Sequence, residues 1–186
     1  MSWKSCRFAF MESNRIITTK VYHSPCGPLL MGSFGEWLCL CDWIRPDSDR
    51  RRYVIDRVSR SLDSRLLDGT SPVIESARKQ LDEYFAGRRT EFSIPLLLPG
   101  TDFQKQVWNC LVDIPYGETL TYRSIAQRIG RPKAVRATAN AIGANAVSVI
   151  VPCHRVIGSD RSMTGYAGGL QAKVYLLELE QSATPL

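Results

Sequence analysis

Cys153 and His154 are the residues in this 186-residue chain whose types and spacing point most directly to chemistry. They follow an apolar run, Ala146 to Val151, and then Pro152. A cysteine delivered by such a run is held on rigid backbone, and an imidazole beside it can help form the thiolate, which is the nucleophile. On extended backbone successive side chains point apart, so His154 is expected to reach Cys153 through a water. The alternative is a buried, inert thiol, the commonest fate of a free cysteine. Glu180 is the third candidate. Plotted at helical spacing over Leu170 to Gln181, it falls between Leu176 and Leu177, near Leu179 and Leu170, in the middle of the apolar face. A buried carboxylate needs a partner, and a histidine fits: the carboxylate fixes its tautomer and favours the imidazolium. Should the helix fray first, Glu180 is merely a solvated terminal acid.

Two further groups could bind a ligand. Gly165-Tyr166-Ala167-Gly168-Gly169 can turn tightly and offer backbone N–H groups to a planar molecule, with Tyr166 stacking on its face. On a helix over Lys133 to Ile142, the residues Lys133, Arg136, Ala137 and Asn140 share one arc, while Val135, Thr138 and Ile142 fall opposite. That polar face is basic and shallow. Ala134 and Ala141 at its flank would let it approach a groove closely, and Arg136 is long enough to reach between base pairs.

These residues need elements to position them. Ile16 to Tyr22, Leu29 to Phe34 and Trp37 to Trp43 read as strands, the last two joined as a hairpin through Gly35-Glu36. Tyr53 to Leu67 reads as a helix, after the triplet Arg50-Arg51-Arg52, which is taken as a solvated face. Ser71-Pro72, the apolar positions Ile74, Ala77, Leu81, Tyr84 and Phe85, and then Gly87 give a capped helix. Phe92 to Pro99 reads as an extended linker and sets the domain boundary. Thr101 and Gln104 form a capping box that opens the next helix. Thr121 to Ile129, the break Gly130-Arg131-Pro132, and Lys133 to Ile142 have the outline of a helix-turn-helix. Val147 to Val151 is a buried-strand candidate, Gly158 to Gly169 a loop, and Leu170 to Gln181 a last helix.

Composition bounds the class. Lys plus Arg is 24 and Asp plus Glu is 18, a formal charge of +6, which favours polyanionic partners without choosing among them. No run approaches the roughly 18 apolar residues that a membrane span needs. Met1 to Arg15 has neither the apolar core nor the cleavage site of a secretory signal, so the expected compartment is cytoplasmic, or nuclear in a eukaryote. The six cysteines lack a disulfide-framework spacing and are expected to be thiols.

Together, Pro152-Cys153-His154-Arg155-Val156-Ile157-Gly158, Met163 to Leu170 and Leu176 to Glu180 closely resemble the O6-alkylguanine-DNA alkyltransferase family. The likeness is strong from about Phe103 to Glu180, including Ile114 to Tyr122 and Arg136-Ala137, and looser before Pro99, where it rests on His23 to Leu29 and Leu81 to Gly87. The resemblance implies an α/β fold: a small N-terminal α/β domain with an antiparallel sheet (residues 1–99, with 1–15 expected to be disordered) and a mainly helical C-terminal domain (100–186) carrying the helix-turn-helix. It implies single-use transfer of an alkyl group from guanine O6 in double-stranded DNA to a cysteine, after minor-groove binding and base flipping. No cofactor, metal or membrane is expected, and the protein is expected to be a monomer. By position, Cys153 would accept the alkyl group, His154 would act as base through a water, Glu180 would partner His154, and Asn145 would hold the local hydrogen-bond network. Arg136 would fill the space of the flipped base, with Lys133, Ala134, Ala137 and Asn140 on the same DNA-facing surface. Tyr122 would help rotate the nucleotide and protonate the leaving guanine, Tyr166 would wall the pocket, and backbone groups of Cys153, Val156 and Ala167 would read the guanine edge.

Three positions depart from the family pattern: Ala146 replaces a proline after Asn145, Ala139 a glycine, and Arg161 a loop glycine. The first is expected to loosen the turn. His23 and Cys26 with Cys39 and Cys41, the last two expected on one strand face, could offer four metal-binding groups, but the bland reading is core thiols. Two rivals are a binding-only alkyltransferase-like protein, against which the presence of Cys153 counts, and a helix-turn-helix regulator with a structural cysteine.

Overall fold

The computed structural model describes residues 15–45 and 50–182. The expectation of disorder for Met1 to Arg15 falls, except for Arg15, outside the described residues. Three strands, β1 (Ile16–Ser24), β2 (Gly27–Phe34) and β3 (Trp37–Trp43), form an antiparallel meander. Gly35, with φ +57°, makes the tight β2–β3 turn. Helix α1 (Arg50–Ser61) is shorter than the helix expected over Tyr53 to Leu67. The chain turns at Asp63, whose φ is +44°, and Arg65–Asp68 becomes β4, parallel to β1. Backbone pairing at the sheet edge outweighs the helical reading there, and the strand order is β3-β2-β1-β4.

The sheet is covered on both faces. Val54 and Val58 of α1 pack with Ile17, Leu30, Cys39 and Leu40. The larger core lies on the other face, where Ile74, Ala77, Leu81 and Tyr84 of α2 (Pro72–Phe85) meet Leu29, Met31, Leu38, Cys41 and Trp43. Ser71 caps α2 and Pro72 occupies its first turn, as the sequence suggests. Cys39 is the extra residue of a β-bulge, since Gly32 pairs with Leu40 and Ser33 with Leu38. The bulge reverses the alternation. Cys39 and Cys41 therefore sit in different cores instead of sharing a face.

Residues 92–99 do more than link. Leu38 N–H donates to Pro95 O (2.9 Å) and Leu97 N–H to Leu38 O (3.0 Å), so this segment pairs with the outer edge of β3. Further along the same edge, Cys41 N–H donates to Ala146 O (2.8 Å) and Ser148 N–H to Cys41 O (2.6 Å). The N-terminal sheet thus splints the segment that leads to Cys153, and the larger core runs on through Val107, Trp108, Leu111, Val147, Val151 and Leu176.

The second half holds α3 (Asp102–Val112), opened by the expected Thr101–Gln104 capping box, then β5 (Leu120–Thr121), α4 (Tyr122–Arg128) and α5 (Val135–Gly143). A short 3-10 turn, Cys153–Arg155, leads into β6 (Val156–Ile157), which pairs with β5, and α6 (Leu170–Ser182) closes the chain. Helices α4 and α5 form the helix-turn-helix. Helix α5 begins at Val135, so Lys133 and its N-cap Ala134 lie before the helix and not on it as expected; a turn closed by Ala134 N–H on Arg131 O (2.9 Å) holds them there. No helix among the described residues is long and apolar enough to cross a membrane.

Candidate active site

Val147 to Val151 is not the expected strand. Ile150 N–H donates to Ser148 O (2.9 Å) across Val149, whose φ is +71°. This is the rare, strained γ-turn, unusual for a β-branched residue. Three residues on, Cys153 N–H donates to Val151 O (2.8 Å) across Pro152 (φ −80°, ψ 63°), an inverse γ-turn. The pair of tight turns, splinted by Cys41, delivers Cys153 to the start of the 3-10 turn. The Cys153-His154 backbone is therefore helical, not extended as expected.

Asn145 organises this corner. Its Oδ1 accepts from Val147 N–H (2.9 Å), while Nδ2 donates to Val151 O (2.9 Å) and to Cys153 Sγ (3.2 Å). The amide bridges the turn that Ala146 leaves without a proline, and it places a donor on the sulfur, where it stabilises negative charge.

Glu180 is fully buried within α6, so the frayed alternative does not apply. Its carboxylate accepts from His154 Nε2 (2.8 Å), Arg155 Nε and Nη2 (both 2.9 Å), Tyr84 Oη (2.7 Å) and Gly117 N (3.1 Å). Burial alone would raise its pKa, but the donors from His154 and Arg155 hold it well below the usual carboxylate range. A carboxylate only accepts, so Nε2 of His154 carries the hydrogen and Nδ1 the lone pair. Nδ1 is buried with no hydrogen-bond partner among the described residues. Burial lowers the pKa of His154 despite Glu180, with Arg155 and Lys173 adding to the lowering. Glu180 does favour the imidazolium, as expected, through its hydrogen bond and its charge, but burial outweighs it and the imidazole is held neutral.

Sequence reasoning missed Arg155, Tyr84 and Lys173. Arg155 belongs to the Pro152-Cys153-His154-Arg155 motif, but nothing local in the sequence marks it as a second partner for Glu180. Lys173 lies seven residues before Glu180, on the same helical face, so the plot that singled out Glu180 held this signal too. It is fully buried and donates to Val156 O (2.7 Å) and Thr164 O (3.0 Å), tying the Gly158 to Gly169 loop to β6. Tyr84 reads as plain core, because its contact with Glu180 spans 96 residues.

A cleft of about 540 Å³ opens above the cysteine. One wall is α5, through Val135, Arg136, Ala139, Asn140, Ile142 and Gly143; facing it are Thr164, Gly165, Tyr166 and Ala167; Tyr122 and Cys153 complete the lining. Cys153, Arg136, Asn140, Tyr122, Tyr166 and Ala167 are therefore brought together as a set. Lys133 and Ala137 are exposed and Ala134 half-buried, and none of the three lines the cleft. Val156 is buried off the cleft wall, its N–H bonded to Cys153 O and its carbonyl accepting from Lys173. Arg161, where the family has a glycine, adopts φ +63°, the conformation a glycine takes without strain. Among the described residues no group of three or more His, Cys, Asp or Glu side chains is arranged to hold a metal ion.

Comparison with known proteins places this geometry. Residues 102–182 match the 6-O-methylguanine DNA methyltransferase DNA binding domain, and residues 17–98 match the ribonuclease-like domain of the same proteins. A methylated-DNA–protein-cysteine methyltransferase of Methanosarcina barkeri is 41% identical over 162 residues, 87% of this chain and 96% of that one. Its Mycobacterium tuberculosis counterpart is 42% identical over 170 residues, 91% of this chain and 96% of the relative. The crystal structure of the M. tuberculosis O6-methylguanine methyltransferase superposes with a TM-score of 0.77, covering 91% of this chain and 95% of that one at 41% identity. A structure of the M. tuberculosis protein in complex with DNA gives 0.75 at 42% identity, with the same coverage. With both halves of the sequence matched in this way, the chain belongs to the 6-O-methylguanine DNA methyltransferase family.

Proposed function

We propose that this protein repairs O6-alkylguanine in double-stranded DNA by moving the alkyl group to Cys153, once per molecule and without a cofactor. The observation that carries this reading is that one cleft has the exposed α5 helix as its first wall and Cys153 as its floor, with His154, hydrogen-bonded to the Glu180 carboxylate, next to Cys153 in the chain.

Nδ1 of His154 takes the thiol proton through a bridging water, and the Asn145 amide steadies the sulfur. The thiolate attacks the alkyl carbon, the S–C bond forms, the C–O6 bond breaks, and its electron pair leaves with guanine. Tyr122 supplies a proton to the departing base. The thioether has no route back, so the protein is consumed.

The DNA side follows from exposure. Arg136, Ala137 and Asn140 face outward on α5, with Lys133 and Ala134 in the turn before it, and this surface enters the minor groove. Arg136 fills the place of the flipped base, Tyr166 walls the pocket, and main-chain groups of Cys153, Ala167 and Val156 read the guanine edge. The Val156 carbonyl keeps a second lone pair for that contact. The C-terminal domain, residues 100–186, carries the transfer and the DNA contacts, and β3 of the N-terminal domain, residues 1–99, braces it from behind. The protein works as a monomer in the cytoplasm, or in the nucleus of a eukaryote.

Full-length protein in excess over a duplex with one O6-methylguanine is expected to restore guanine, read by digestion and chromatography of the DNA. The Cys153→Ala variant is expected to restore none. Persistence of the lesion with the unaltered protein would sink the proposal.

A further inference from the structure

We propose that Trp43, at the end of β3, sets the size of the alkyl group that the cleft accepts, by backing the wall residue Tyr166 and the loop behind it at Gly168. The inference rests on the reading of the cleft as an alkylguanine pocket, and it makes Trp43 a positioning residue from the N-terminal half of the chain. Trp43 is only 4% exposed and does not line the cleft. Its indole Nε1–H donates to Tyr166 Oη at 3.1 Å, and the two rings meet edge to face with centroids 6.0 Å apart.

The same indole lies flat against the pocket loop. A Cβ added at Gly168 would stand 2.7 Å from Trp43 Cε2 and 2.8 Å from Cδ2, well inside van der Waals contact, so no side chain fits there. On its other flank the indole meets the β1–β2 turn, where Gly27 has φ +130° and a Cβ would lie 3.7 Å from the ring. Trp43 is thus wedged between a turn of the sheet and the loop, within the core that holds Leu29, Met31, Cys41 and Cys153. A close-packed interior yields little. The Tyr166 wall cannot recede toward the sheet unless this core residue moves.

Two consequences follow. The Trp43 hydrogen bond fixes the Tyr166 ring, which holds a small alkyl group against the sulfur. Loss of that bond frees the ring to swing, so that a bulky group is admitted more readily while a methyl group is held less firmly.

The test uses full-length protein and two duplexes that differ only in carrying O6-methylguanine or O6-benzylguanine, with transfer to the protein timed by intact mass. Trp43→Phe keeps an aromatic ring and lacks the donor; Tyr166→Phe lacks the acceptor. In each single variant the benzyl-to-methyl rate ratio is expected to rise about fivefold, the equivalent of one hydrogen bond. The double variant is expected to match the singles, since all three delete the same contact. An unchanged ratio in both single variants overturns the proposal. If circular dichroism shows Trp43→Phe to be unfolded, Tyr166→Phe decides alone, and an unchanged ratio there overturns it equally. Unaltered protein that accepts neither group is a failure of the underlying functional reading, visible before any variant is compared.

Discussion

The outer face of α5 and the carboxylate pocket behind Cys153 meet at one cleft but are made in opposite ways. Helix α5 turns Arg136, Ala137 and Asn140 to solvent and buries only Thr138, Ala141 and Ile142 beneath them. Glu180, His154 and Arg155 give up nearly all their surface, and each depends on the others to offset the cost of burial. The first region works because nothing in the protein occupies it. The second works because every donor around the carboxylate is in place. Substitutions should therefore separate the two: on α5 they should change function with little effect on stability, while in the pocket they should change both.

The largest effect is expected for Glu180→Gln, which leaves the Arg155 guanidinium buried without its counter-charge. A loss of about 3–5 kcal/mol in urea unfolding is expected, together with loss of alkyl transfer. A stable Glu180→Gln protein would erase the contrast. Next, Arg136→Ala should slow repair of duplex DNA at least tenfold, yet leave reaction with free alkylated guanine unchanged and stability within about 0.5 kcal/mol. Equal slowing of both substrates would move Arg136 into the chemical step.

The pH response sharpens the pocket further. Burial lowers the pKa of His154 in the folded protein, whereas in the unfolded chain the ring titrates near about 6.5. Between those values the unfolded state binds more protons, so stability should fall as pH drops below about 6.5. Urea midpoints across that range check the sign, and His154→Gln should flatten the slope. Alkyl transfer, which needs neutral His154, should persist below the ordinary imidazole range. The smallest effect is expected for Lys133→Ala, which lies outside the cleft: binding to any duplex should weaken modestly, with the salt slope reduced by about one.

How much the sequence reveals differs between the same two regions. The arc Arg136, Ala137, Asn140 is a local, periodic pattern, so it reads correctly even though the helix starts two residues after Lys133. The capping box at Thr101, the caps of α2 and the meander are local in the same sense. Glu180 is legible as a buried carboxylate because its helix is apolar around it. Its partners are not: Tyr84 reaches it from α2, and Gly117 offers only a backbone N–H. The strained turn at Val149 is hidden for another reason. Its apolar residues read as a strand, and the backbone bonds from Cys41 together with the Asn145 side chain hold them in turns instead. Short β4 is missed likewise, because its pairing with β1 is fixed by the sheet and not by its own residues.

The central claim is that Cys153 is a reagent consumed by one lesion. Titration of the protein with increasing duplex O6-methylguanine, followed by intact mass and peptide mapping, tests it most directly. The expected result is a plateau at one methyl group per protein, carried on Cys153, with further lesions left unrepaired. A protein that gains no methyl group, or that clears lesions beyond its own amount, would contradict it.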